Sequence, residues 1–150
     1  MKETSHLLRA SYLSILRPLI VEGVTIPIFD NRVNPEVTIP KYRGGDCYVV
    51  ITNQTSVDTT NNRCSFRKTS SITLEINTKY PLNYGGGLAR DLISNTIQQQ
   101  IRLLQSNSVS LIGFQVLSTR VEFDNDFTEN GLTESNYRKV LAFSHSIYEL

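Results

Sequence analysis

The stretch Phe66–Asn77, FRKTSSITLEIN, decides the fold. Phe66, Ile72, Leu74 and Ile76 fall on one side of an extended chain, and Arg67, Thr69, Thr73, Glu75 and Asn77 on the other. Alternation with one wet face marks a strand of an antiparallel sheet, because parallel sheets are covered on both sides. Upstream, CYVVITNQTSVD (47–58) begins as a continuous apolar run and turns polar, as a strand buried at one end would. TTNNR (59–63) lies between the two and supplies turn chemistry, since asparagine tolerates left-handed backbone angles. The pair therefore reads as a hairpin turning near Asn61-Asn62.

Toward the N-terminus, residues 5–21 read as an amphipathic helix capped by Thr4 or Ser5, with Leu8, Tyr12, Ile15, Leu16 and Leu19 near one stripe. Pro18 lacks a backbone N–H and should kink or end it. VTIPIFD (24–30) is a short strand, and Pro27 within it argues for an edge position. Residues 31–45, with Pro35, Pro40 and Gly44-Gly45, form a projecting loop. Toward the C-terminus, residues 88–105 form a second helix, with Leu88, Leu92, Ile97, Ile101 and Leu104 on one side. LIGFQVLSTRVEF (111–123) is a strand whose inward phase changes, which calls for a bulge near Ser118. DNDFTENGLTESN (124–136) reads as a polar connection, and YRKVLAFSHSIYEL (137–150) as the last strand, closing a long hairpin over about 114–148.

The order α-β-β-β-α-β-β indicates an α+β fold: an antiparallel sheet of about four to five strands with two helices on one face. At 150 residues the chain makes a single domain, 1–150. With 39% hydrophobic and 19% charged residues it has the balance of a globular protein. A formal charge of +1 produces no global field toward DNA, anionic lipid or an acidic substrate. No apolar run is long enough to span a membrane. His6, Arg9 and Arg17 interrupt the N-terminal apolar stretch, so it reads as a folded segment rather than a secretory signal. That places synthesis and use inside a cell, or delivery to an assembly built there, and Cys47 and Cys64 are expected as two unpaired thiols.

The chemical constellations are incomplete. YGGGLARD (84–91) stands where a phosphate loop would, yet no Lys-Ser or Lys-Thr follows the glycines and the preceding strand is antiparallel. Its expected role is mechanical, a sharp corner from sheet to helix in which Gly86→Ala should impair folding or assembly. Asp124, Asp126 and Thr128 alternate like the start of a calcium loop, but Glu129 and Ser135 occupy the positions that need glycine and glutamate. His6 and His145 belong to no zinc or triad pattern. The expectation is no enzyme, no catalytic residue, no cofactor and no metal. Arg32, Lys41 and Arg43 gather around Tyr42, while Arg67-Lys68 and Arg138-Lys139 form smaller basic groups. Tyr42, Arg43, Phe123, Phe127 and Leu132 are the candidate contact residues, because apolar side chains in polar loops either meet a partner or staple their own loop.

Several segments carry a resemblance. LLRASYLSILRPLI (7–20) is followed by VTIPIFDNRV (24–33), a proline-containing loop and CYVVITN (47–53). SITLEINTKY (71–80) then runs into GGGLARDLISNTIQQQI (85–101), and a final hairpin joins STRVEFDND (118–126) to VLAFSHSIYEL (140–150). In this order and pattern the chain resembles the tail-terminator, or tail-completion, proteins of tailed bacteriophages, over nearly its full length. It departs from them in the polar NQTSVDTTNNR turn and the long acidic hairpin tip. The resemblance implies a virion structural protein at the head–tail junction or tail, assembled in the host bacterial cytoplasm. It would form a six-fold or twelve-fold homo-oligomeric ring, join tail to portal-side connector, and let genomic DNA pass through its lumen without sequence-specific binding. Its partners would be its own copies and neighbouring connector and tail proteins, with no membrane. The alternative reading is a non-viral protein-binding module.

Overall fold

The computed structural model describes residues 3–61, 66–101 and 109–150. Along the chain come α1 (Ser5–Leu16), β1 (Leu19–Val21), β2 (Val24–Ile26), β3 (Ile28–Asp30), β4 (Lys41–Tyr42), β5 (Gly45–Asn61), β6 (Phe66–Pro81), α2 (Leu88–Ile101), β7 (Phe114–Asn130) and β8 (Glu134–Glu149). One sheet runs β3-β5-β6-β8-β7, with β4 also on β5, and β1-β2 make a separate ribbon. The class is α+β, as the sequence indicates, but the described residues hold eight strands rather than four or five.

The additional strands have local causes. α1 ends at Leu16, just before Pro18, so Leu19 opens β1 instead of extending the helical stripe. Glu22 and Gly23 both take positive φ, 47° and 80°, and Val21 pairs with Val24 across them. A two-residue turn of that hand matches the twist of its strands and makes a hairpin. Arg43 and Gly44 repeat the device at 49° and 83° between β4 and β5, so the end of the expected 31–45 loop is hairpin. Pro27 splits the expected 24–30 strand between two sheets, and β3 pairs with β5 in parallel, which corrects the wholly antiparallel expectation. β3 does lie at the sheet edge.

The long strands form the remainder of the sheet. β6 pairs with β8 without interruption from Arg67↔Tyr148 to Pro81↔Glu134. β7 pairs with β8 with register shifts between Val116 and Ser118 and between Val121 and Phe123, so the bulge expected near Ser118 is present. Residues 124–130 and 134–136, expected as loop, continue these two strands.

One sheet face supplies Cys47, Val49, Ile51, Ile72, Leu74, Ile76, Leu141, Phe143 and Ile147 to the main core. Against them pack Leu8, Tyr12 and Leu16 of α1 and Ala89, Ile93, Ile97 and Ile101 of α2. The two-helix layer is corrected as well. The helices share β6 but otherwise meet different strands, α1 against β5, α2 against β8 and β1, and the β1-β2 ribbon adds Leu19, Val21 and Ile26 to the same core. α2 buries Ile97 and Ile101 and packs Leu92 at the core margin, as expected, but Leu88 is exposed, and Ala89 and Ile93 point inward. Arg102 and Leu104 lie outside the described residues. Cys47 is a buried free thiol, and Cys64 also lies outside them.

Thr4 occupies the N-cap position of α1, as expected, but its side chain makes no capping bond; the Glu3 carboxylate accepts the backbone N–H groups of Thr4 and Ser5 at 3.0 Å each instead. Arg9 ties α1 to the irregularity of β5 between Ile51 and Gln54. It donates to Gln54 Oε1 at 2.9 Å and to the Thr52 carbonyl at 2.8 Å, and pairs with Asp30 at the end of β3. A bulge leaves backbone groups outside the ladder, and the guanidinium fork supplies donors to them.

The glycine corner works through Gly85. Its φ is +95°, and a Cβ there would stand 2.4 Å from the buried Tyr80 ring. The same ring lies where a Cβ on Gly45 would come within 2.7 Å, so both glycines make room for it. A Cβ on Gly86 would meet nothing within 4 Å, which moves the expected sensitivity away from that residue. Gly85→Ala should lower stability by about 1–3 kcal/mol, and Gly86→Ala should stay within about 0.5 kcal/mol of the parent. Urea midpoints of the two variants check this; equal effects would refute the assignment.

Candidate assembly interface

The sheet face away from the helices carries no further layer among the described residues. Phe29, Val50 and Ala142 are buried there, yet stand outside the main core cluster. Phe29 meets Tyr48 edge to face at 6.1 Å, and Lys79 sits over the Tyr48 ring at 5.6 Å. Arg138 bonds Glu75 at 3.1 Å and Glu129 at 3.2 Å, and covers the Phe127 ring at 5.1 Å. Most polar and aromatic groups on this face therefore have partners within the subunit.

At the opposite face, α2, β7 and β8 meet around one lysine. Lys139, with a side chain only 9% exposed, reaches Asp91 at 3.2 Å, Asp124 at 3.1 Å and Asp126 at 3.3 Å. Burial works against its charge, but the hydrogen bonds to the three aspartates outweigh it and raise its pKa. Arg90 adds contacts to Asp91 and Asp126, both at 3.5 Å, and its guanidinium lies where a Cβ on Gly87 would clash. The acidic residues that resembled a calcium loop are thus strand residues holding an ammonium. Expected as part of a solvated basic pair, Lys139 is instead the buried centre of a cluster of three partly exposed aspartates. Its signal was its place on the inward phase of β8, between Tyr137 and Leu141.

The five candidate contacts fall into two groups. Tyr42 is buried, and its hydroxyl donates to Glu22 Oε1 at 3.0 Å. Arg43 donates to both oxygens of the same carboxylate at 2.8 and 2.9 Å. Glu22 therefore clasps the two tight turns together, and its pKa falls because Arg43 and then Tyr42 bond its charged form. Phe123, Phe127 and Leu132 lie on the β7-β8 hairpin and are 39%, 42% and 96% exposed. The two groups do not meet within one subunit: β4 and β7 flank opposite edges of the sheet.

His145 is fully buried. Its Nε2 bonds the Tyr12 hydroxyl at 2.7 Å and its Nδ1 the Thr119 hydroxyl at 2.9 Å. Burial pushes its pKa down to about 4 and that of Tyr12 well up, so both are neutral near pH 7. Both ring nitrogens are engaged in a link from α1 through β8 to β7. Burial likewise pushes the Cys47 thiol up to about 12, away from a reactive thiolate.

No protein-family model matches the chain, and no curated protein matches it. Among solved structures, it is similar to a chain in the virion of a native gene transfer agent particle, with 12% sequence identity and a TM-score of 0.67. The likeness covers 99% of each chain. At that identity it establishes a shared fold.

Two outcomes follow from the buried polar groups. Between pH 6.5 and about 4 the unfolded chain protonates a histidine that the folded chain keeps neutral, so His145 makes stability fall with pH across that window. Its contribution should be about 2–3 kcal/mol between pH 7 and 4.5. Urea unfolding of the parent and His145→Gln at both values measures it, and identical pH slopes would refute it. Lys139→Met, which strands three partly exposed carboxylates, should cost about 2 kcal/mol at pH 7 and Lys139→Arg less.

Proposed function

We propose that this chain is a virion structural protein that assembles into a closed homo-oligomeric ring at the head–tail junction or tail of a tailed bacteriophage or a related particle. The observation that carries the reading is the whole-chain likeness to a virion-particle chain, at TM-score 0.67 over 99% of both chains. The sequence resemblance to tail terminators points the same way independently. A sheet with different open edges, β3 on one side and β7 on the other, suits head-to-tail association. Unlike patches on one subunit give rings when the rotation closes.

In this reading the protein performs no catalysis. It joins the tail to the portal-side connector and surrounds a channel through which genomic DNA passes without base-specific contacts. A formal charge of +1 suits a conduit that does not grip the polymer passing through it. Arg43, Phe123, Phe127 and Leu132 supply contacts between or above subunits, and buried Tyr42 holds Arg43's turn in shape.

Light scattering on the purified chain, alone and mixed with connector and tail proteins encoded beside it, tests the proposal, with negative-stain images of the same samples. The expected species is a ring of six or twelve copies. A monomer under every one of these conditions would sink the ring and favour a protein-binding module.

A further inference from the structure

A groove of about 500 Å³ runs along the open edge of β3, bounded by Arg17, Pro18, Ile26, Phe29, Arg32 and Val37 among others. Two cations mark it. Arg17 donates from Nη2 to the Ile28 carbonyl at 2.6 Å, which sets its guanidinium beside the β3 edge with no carboxylate on it among the described residues. Arg32 is exposed and has no ion-pair partner among the described residues. The one acid in the groove, Asp30, is already held by Arg9.

The opposite edge of the sheet has the complementary character. β7 from Glu122 to Glu129 carries four acids and no base, EFDNDFTE. Lys139 and Arg138 hold Asp124, Asp126 and Glu129, while Glu122 is exposed without an ion-pair partner among the described residues. Phe123 and Phe127 lie 39% and 42% exposed in the same segment.

The ladder puts these two surfaces level with one another. Ile28–Asp30 pair with Val49–Ile51, these with Ile76–Leu74, these with Lys139–Leu141, and these with Asp126–Asp124. Four steps of about 4.8 Å place the edges about 19 Å apart at the same height. Strand directions along that path make β7 antiparallel to the β3 of an equally oriented neighbour.

We propose that the β7 segment Glu122–Phe127 of one copy seats in the β3-edge groove of the next copy. Phe123 and Phe127 lie against the accessible apolar groups of Pro18, Pro27 and Val37, and Glu122 meets Arg32. The contact is heterologous, since each copy offers its groove on one edge and its segment on the other, so it propagates around a ring. This rests on the ring reading and identifies its subunit contact.

Full-length protein with Phe127→p-benzoylphenylalanine is irradiated and its adducts are mapped by mass spectrometry, while light scattering records assembly of Arg32→Glu, Glu122→Arg and the double variant. The expected result is adducts on residues 17–37 of a second copy, at least tenfold weaker assembly for each single variant, and recovery in the double variant. A ring whose adducts map elsewhere, or that both single variants leave intact, overturns this contact and leaves the ring standing. A monomer without adducts at any concentration, alone and beside the same connector and tail proteins, overturns both.

Discussion

Lys139 occupies a position on β8 that the strand otherwise gives to the interior, in phase with Leu141, Phe143, His145 and Ile147. An ammonium held 9% exposed is stable only if oxygen atoms converge on it, and three aspartates do so from two other elements. Asp91 brings the first turn of α2, and Asp124 and Asp126 bring the middle of β7. One charge thereby fixes where the helix begins, over which strand it lies, and where the edge strand sits. β7 needs this anchor because few of its residues beyond the second bulge contribute to the core. Asp91 also lies in the first helical turn, where the helix dipole favours a negative charge, so the same carboxylate satisfies both demands.

Elsewhere the fold uses the same kind of directional contact. Arg9 fastens α1 to the bulge of β5 and to the end of β3, and His145 connects α1 to β7 through Tyr12 and Thr119. Hydrophobic burial pulls the helices onto the sheet without selecting a register. The polar links select it, because a shift of one residue would strand a buried donor or acceptor. Glu22 does the same for the two tight turns, which are distant in sequence and share one carboxylate.

These links explain what could be read from the sequence. The alternation in β6, the long β7-β8 hairpin and both helices follow from local periodicity, which residues such as Ile72, Leu74 and Ile76 display openly. The bulge near Ser118 was legible too, since a phase change leaves few alternatives. The acidic stretch 124–130 was not, because Asp and Asn disfavour strands unless something distant neutralises them, and Lys139 is that distant element. The split at Pro27 and the parallel pairing of β3 were equally hidden. They depend on Val49 N–H finding the Pro27 carbonyl at 3.0 Å, a contact across 22 residues that no local pattern announces. Of the candidate contacts, the exposed Phe123, Phe127 and Leu132 were visible as apolar residues in polar surroundings. Tyr42 looked the same in sequence, and its burial depends on the Glu22 turn.

In the proposed ring, the choice between sheet face and sheet edge as the subunit contact turns on which groups remain unmet. The outer face has largely met its own needs: Arg138 bonds both Glu75 and Glu129, Lys79 stacks on Tyr48, and Phe29 and Val50 are already buried. A second copy laid over it would desolvate ion pairs that have nothing to gain by it. The edges differ. Arg32 and Glu122 have no ion-pair partner among the described residues, the β3 groove is open, with both apolar and cationic side chains lining it, and Phe123 and Phe127 lie on a strand with a free side. Long free edges invite pairing with another chain unless something covers them, and a ring in which each edge covers the next leaves none exposed. Closure by edges would also leave one broad sheet face and one helical face for the channel and the outside, so a subunit with a bare outer sheet is consistent with that architecture.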